Sequence, residues 1–153
     1  MFGIFGRKPN EREMFGDENW QVAQGEYEGN PVIVRFNAGL KPFVGRSDHI
    51  LKIAFAIPLN EPNPGGIPSA DENEALMLVE DKILEAIRSK VSAIQALAIT
   101  MGTFKEFVFY AKQDIDVKAL HEQLMASITS HEVQCMASIE KRWETYAMWA
   151  KVN

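Results

Sequence analysis

Apolar residues along this chain switch between two spacings, and the switches mark out its elements. Residues 50–59 (ILKIAFAIPL) form a nearly continuous apolar run, the pattern of a strand covered on both sides. Leu76, Val79, Ile83 and Ile87 then recur three and four apart, which predicts a helix over residues 69–91 with one apolar stripe. Ser69 is its expected N-cap and Glu72 completes a capping box. Asp71 and Glu74 place negative charge in the first turn, where the helix dipole favours it. Residues 92–100 lack helical punctuation and read as a strand, despite Ala93, Ala96 and Ala98. Residues 104–112 open with FKEFVFY, rich in the aromatic and β-branched types that suit a pleated surface. A second helix is predicted over residues 116–130, capped by Asp116, with Val117, Leu120, Leu124 and Ile128 on one face. Residues 132–139 (EVQCMASI) alternate Val133, Cys135, Ala137 and Ile139 on one side and predict a last strand.

Ahead of this series, residues 19–27 (NWQVAQGEY) and 31–37 (PVIVRFN) flank Glu28-Gly29-Asn30. Gly29 and Asn30 tolerate the positive φ of a tight turn, so the segment predicts a β-hairpin. Residues 38–48 hold Gly39, Pro42 and Gly45 and read as a loop. Residues 60–68 (NEPNPGGIP), with three prolines and two glycines, read as a surface loop. The expected architecture is α+β: a ferredoxin-like β-α-β-β-α-β sheet with helices on one face, plus the N-terminal hairpin. Residues 1–18 read as a tail and residues 19–153 as a single domain. Because residues 50–57 are apolar on both sides, the open sheet face needs a cover. The hairpin and C-terminal tail, or another subunit, are the candidates.

Composition narrows the function classes. The 16 basic and 21 acidic side chains give a net charge of −5, which disfavours broad nucleic-acid binding. A single cysteine, Cys135, excludes an internal disulfide and a cysteine-cluster zinc site, and the expected location is cytoplasmic. The apolar part of residues 1–8 (MFGIFGRK) is too short to span a bilayer, and no transmembrane segment is predicted. That stretch reads as a tail folded on its own domain or a frayed end, ahead of a membrane or groove anchor.

Candidate chemistry is sparse. His49, His121 and His131 show no ligand spacing and read as surface or capping groups. Cys135 falls on the expected core face and reads as a small hydrophobe. Pro64-Gly65-Gly66 lacks the Lys-Ser/Thr that would hold phosphates. Glu72, Glu74, Glu80, Asp81 and Glu85 are spread around their helix and read mostly as a solvated face countered by Lys82 and Arg88. Phe107 and Phe109 share one strand face beside Lys105, as in modules that stack RNA bases. The glycines of that motif are missing, however, and Glu106 stands where one belongs. No catalytic residue, metal ligand or cofactor is predicted.

Three segments, 66–83 (GIPSADENEALMLVEDKI), 99–110 (ITMGTFKEFVFY) and 142–146 (RWETY), together with Trp20 and residues 31–40 (PVIVRFNAGL), resemble a bacterial family, domain of unknown function 695. The resemblance runs from about Trp20 to Trp149. Such domains sometimes stand beside one resembling regulator of ribonuclease activity B, which implies regulation by protein contact. It carries over no catalytic residues. The expected function is therefore a non-catalytic interaction or regulatory domain whose partner is a second copy or another protein. Phe107, Phe109, Trp143, Tyr146 and Trp149 are its candidate contact residues, since aromatic rings are enriched at interface hot spots. The alternatives are a small-molecule-binding protein or hydrolase with a site near His49, the 62–68 loop and Trp143, and, last, an RNA-binding module.

Overall fold

The computed structural model describes residues 10–152, so the reading made of residues 1–8 lies outside the described residues. Among the described residues ten regular elements follow one another: α1 (Glu11–Phe15), β1 (Trp20–Tyr27), β2 (Asn30–Asn37), β3 (Leu51–Pro58), α2 (Ala70–Lys90), β4 (Ala93–Thr100), β5 (Phe104–Ala111), α3 (Val117–Ser127), β6 (Gln134–Ile139) and α4 (Glu144–Ala150). A 3₁₀ turn at Ala38–Phe43 links β2 towards β3.

All six strands join one antiparallel sheet in the order β1-β2-β4-β5-β3-β6. The hairpin extends the sheet beyond β4, so the order differs from that of a four-stranded ferredoxin-like sheet. Its turn uses Glu28 (φ 53°) and Gly29 (φ 80°), with Asn30 already paired in β2. The expected positive φ thus falls one residue early, on a glutamate. Register keeps the pleat consistent. Phe55 pairs with Phe107 and Ile53 with Phe109, so these four side chains share one face.

That face packs beneath α2 and α3. Leu76, Val79, Ile83 and Ile87 of α2, with Leu120 and Leu124 of α3, bury against Ile53, Phe55, Ile57, Phe107 and Phe109. Phe55 and Phe109 meet edge to face at 5.9 Å. Each such side chain contributes about 1.5–3 kcal/mol by leaving water. Ser69 accepts from the Glu72 amide and Asp116 from that of Ala119, the two N-caps expected. The capping box does not close reciprocally, because the Glu72 carboxylate turns away to the amides of Asn60 and Glu61 and to His131.

The opposite face is also covered, which corrects the expectation of helices on one face. Val32, Val34 and Phe36 of β2, Ile94, Leu97 and Ile99 of β4, and Val108 and Tyr110 of β5 lie under Phe15 of α1, Leu40 of the 3₁₀ turn, and Trp143, Tyr146 and Ala150 of the tail. A bulge between Gln95 and Leu97 lets Ala96 and Leu97 both point to this side. The reading of residues 38–48 as a plain loop missed the buried Leu40, and α4 had no counterpart in the periodicity. The C-terminal end of β6 stays uncovered: Ala137 and Ile139, expected on a core face, are exposed.

Candidate functional site

Of the five aromatic residues proposed for contact, four are sealed inside. Phe107 and Phe109 lie beneath the helices, and Trp143 and Tyr146 turn inward from the tail onto the second face, all with no exposed surface. Their position follows from the pleat and from α4, and it removes them from any docking surface. It also ends the RNA-stacking geometry, since both β5 phenylalanines face α2 and α3. Trp149 is half-buried and tilts against Tyr27 of β1 at 6.2 Å.

Trp143 enters α4 in the left-handed region (φ 53°), an uncommon conformation for a large side chain. Tertiary contacts hold it there. Its ring stacks on Tyr110 at 4.8 Å, and its indole Nε1 donates to the His49 carbonyl at 2.7 Å. The Tyr110 hydroxyl donates to Glu140 Oε1 at 2.7 Å and accepts from the Tyr146 amide, while Tyr146 donates to the Asn37 carbonyl. Glu140 also receives the Thr145 hydroxyl and amide and the Lys52 ammonium. Burial alone would raise the Glu140 pKa, but these donors outweigh it and hold the carboxyl below its ordinary value.

His49, read from sequence as surface or capping, is buried where Phe15 meets it edge-on at 5.1 Å. Its Nε2 lies 2.9 Å from Ser92 Oγ, and its Nδ1 lies 2.9 Å from Asp48 Oδ1. Desolvation lowers its pKa, and the Asp48 carboxylate only partly restores it. Ser92 borders a cleft of about 1080 Å³ between α1 and the end of α2. The spacings are those of a nucleophile, a base and an orienting acid. Two features weaken that chemistry. The Asp48 side chain is 74% exposed, where an orienting carboxylate is best shielded from water. Ser92 follows the carbonyl end of α2, whose partial negative charge opposes a developing oxyanion.

A second buried histidine, His131, pairs with Glu72 beneath the 60–68 loop. Burial pushes the Glu72 pKa up, but His131 and the two loop amides reverse this and leave it lowered. Glu80 is buried too, receiving Arg35 and Gln95 on one oxygen. Glu72 and Glu80 are therefore not members of a solvated face. Their pairing partners lie far off in sequence, so helical spacing gave no sign of them. Cys135 is partly buried, and its thiol is pushed up to about 11 by burial, so it stays protonated near neutrality. Among the described residues no group of three metal-ligating side chains converges, and no helix is long and apolar enough to cross a membrane.

A family model described as "Family of unknown function (DUF695)" matches residues 18–149. The chain belongs to this family. No curated protein and no solved structure matches it. The DUF695 match takes in the hairpin, both long helices and nearly all of α4. The elements that close the second face from β1 onward therefore fall inside the family region, while α1 lies before it.

Proposed function

We propose that this DUF695 domain works by protein contact, without catalysis, and that it self-associates through the free edge of β6. One observation carries the reading. The six residues of β6 (QCMASI) contain no charge and no proline, and Met136 and Ile139 on it are 68% and 47% exposed. Edge strands are usually blunted by charge, proline or a bulge, because their free amides and carbonyls template pairing with another chain. Two β6 edges related by a two-fold axis are self-complementary and would continue the sheet across the dimer. Such an edge alone buries less than the ~1,200–2,000 Å² of a standard interface, so the dimer is weak and concentration-dependent.

Sedimentation velocity on the full chain tests this. The weight-average mass is expected to rise towards twice the 17.2 kDa chain mass as concentration climbs into the high micromolar range. M136K/I139K, which sets like charges against each other, is expected to stay monomeric. A wild-type monomer at every concentration up to millimolar overturns the reading.

In finer detail, β3-α2-β4 and β5-α3-β6 are proposed to form a ferredoxin-like unit, with β4-β5-β3-β6 as its sheet and the hairpin annexed beyond β4. The place of action proposed is the cytoplasm, which suits a chain with one cysteine. A second reading, hydrolysis, is favoured only by the 2.9 Å spacings around His49. Labelling by a fluorophosphonate that is lost in Ser92→Ala would support it, and absence of labelling would remove it.

A further inference from the structure

At the far side of the sheet from β6, a pocket of about 430 Å³ opens between the hairpin, β4 and the start of α2. Its size lies in the range of small-ligand sites. The polar groups on its wall include Lys105, Arg35, Asn73 and Thr100, and no carboxylate lines it. Lys105 is the unusual member. The side chain is drawn beneath the helical face with only 7% of the residue exposed, and among the described residues no carboxylate stands within ion-pairing distance of it. Its ammonium donates to Asn73 Oδ1 at 3.3 Å and lies 5.7 Å from the Phe107 ring. The nearby carboxylate of Glu80 is already engaged by Arg35 and Gln95. Lys105 and Arg35 against Glu80 leave one positive charge in excess in a desolvated setting, where an unpaired charge is costly. Burial accordingly lowers the Lys105 pKa, opposed by Glu80 and reinforced by Arg35.

Apart from Ser69, the rest of the wall is apolar: Val22, Ile33, Pro68, Ala70 and Ala98, with Ile67 at the rim. Val22 and Ile67 expose 64% and 47% of their surface. Asp71 and Glu74, which would repel an anion at this helix start, are exposed and do not line the pocket.

We infer that this pocket binds a small organic acid, its carboxylate against Lys105 and its apolar body against Val22, Ile33 and Ile67. The carboxylate supplies the missing negative charge, and the body covers the two exposed apolar side chains. This site lies on the hairpin side of the sheet, away from β6, and stands independently of the dimer.

Titration of the full chain with sodium octanoate, followed by ¹⁵N chemical shifts and calorimetry, is the test. The expected result is saturable binding with shifts at Val22, Asn73 and Lys105. Inorganic phosphate, which lacks a body, and octanol, which lacks a charge, are expected to bind at least about tenfold more weakly, the scale of losing one charge-assisted hydrogen bond or the apolar burial. K105M keeps the stem and removes the charge, and is expected to weaken octanoate about tenfold while leaving octanol unchanged. V22E, at an exposed position that spares the core, is expected to abolish octanoate binding. Absence of octanoate binding, phosphate binding as tight as octanoate, or octanoate affinity equal in wild type and in a folded K105M or V22E, each overturns the inference.

Discussion

On the face beneath α2 and α3, Ile53, Phe55, Phe107 and Phe109 meet the helices mainly through apolar contact, and the two helices begin at side-chain caps. On the opposite face the cover is a 3₁₀ turn and two short helices, of which α4 starts at Trp143 in a left-handed conformation, with its first amides held by the distant Tyr110 and by Glu140. There the rings are fastened by hydrogen bonds: Trp143 to His49, Tyr110 to Glu140, Tyr146 to Asn37. One face is thus closed by periodicity and the other by particular long-range bonds. The difference teaches where contact function is available. With both faces covered from within, strand pairing falls to the two sheet edges, β1 and β6, and β6, which lacks the charge that Glu26 gives β1, is the edge proposed for a partner strand.

The largest effect should come from truncating a ring on either face. Phe109→Ala and Trp143→Ala are each expected to cost about 3–5 kcal/mol in urea unfolding. A Trp143→Ala cost under about 1 kcal/mol would show the tail to be loosely laid on the sheet rather than part of its core.

Polar deletions should separate the faces next. Glu140→Ala strips partners from Tyr110, Lys52 and Thr145 and is expected to cost about 1–3 kcal/mol. An equal substitution at Glu74, on the exposed side of α2, should stay within about 0.5 kcal/mol.

Acidification sharpens the contrast further. His49 has a lowered folded-state pKa, so the unfolded chain binds its proton first, and stability falls as pH drops below about 6.5. Glu140 and Glu72 are also lowered. Their contribution is present above the unfolded-state value and is lost as pH falls through the folded one, below about 4.5. Glu106, raised by burial, works in the opposite sense and in a higher window, adding stability as pH falls from its raised folded value towards about 4.5. Thermal melts from pH 8 to 3 should show both losses. A curve flat from pH 7 to 5.5 would contradict the lowering of the His49 pKa by burial.

The smallest effects belong to the caps. Ser69→Ala and Asp116→Ala should each cost about 1 kcal/mol. The first-turn amides of α4 are already held by Glu140 and Tyr110, so Glu144→Ala, at an exposed position of that turn, should change stability by no more than about 0.5 kcal/mol.

These contrasts also explain which parts of the molecule were readable from sequence. The strand at Leu51–Pro58, the helix stripe of Leu76, Val79, Ile83 and Ile87, and the caps Ser69 and Asp116 follow from local spacing, and local spacing predicted them. Residues 142–150 have no such spacing. Their conformation depends on Tyr110, His49 and Asn37, which lie 36 to 109 positions away along the chain. The same holds for His131 on Glu72 and for Arg35 and Gln95 on Glu80, which turned expected surface groups into buried pairs. In the sequence Lys105 figured only beside two phenylalanines, in an RNA-stacking pattern that the missing glycines and Glu106 disfavoured. The pleat instead sends those rings into the core and leaves the lysine at the wall of the hairpin pocket.

Backbone hydrogen exchange of the full chain, measured at low micromolar and at high micromolar concentration, tests the central claim that both faces are closed from within and the β6 edge is open. Amides of Glu144–Ala150 are predicted to show the same protection at both concentrations, while those of Gln134–Ile139 gain protection only at the higher one. Protection of the tail that appears only at high concentration, with β6 unchanged, would mean that a partner subunit closes the second face, and would contradict the account.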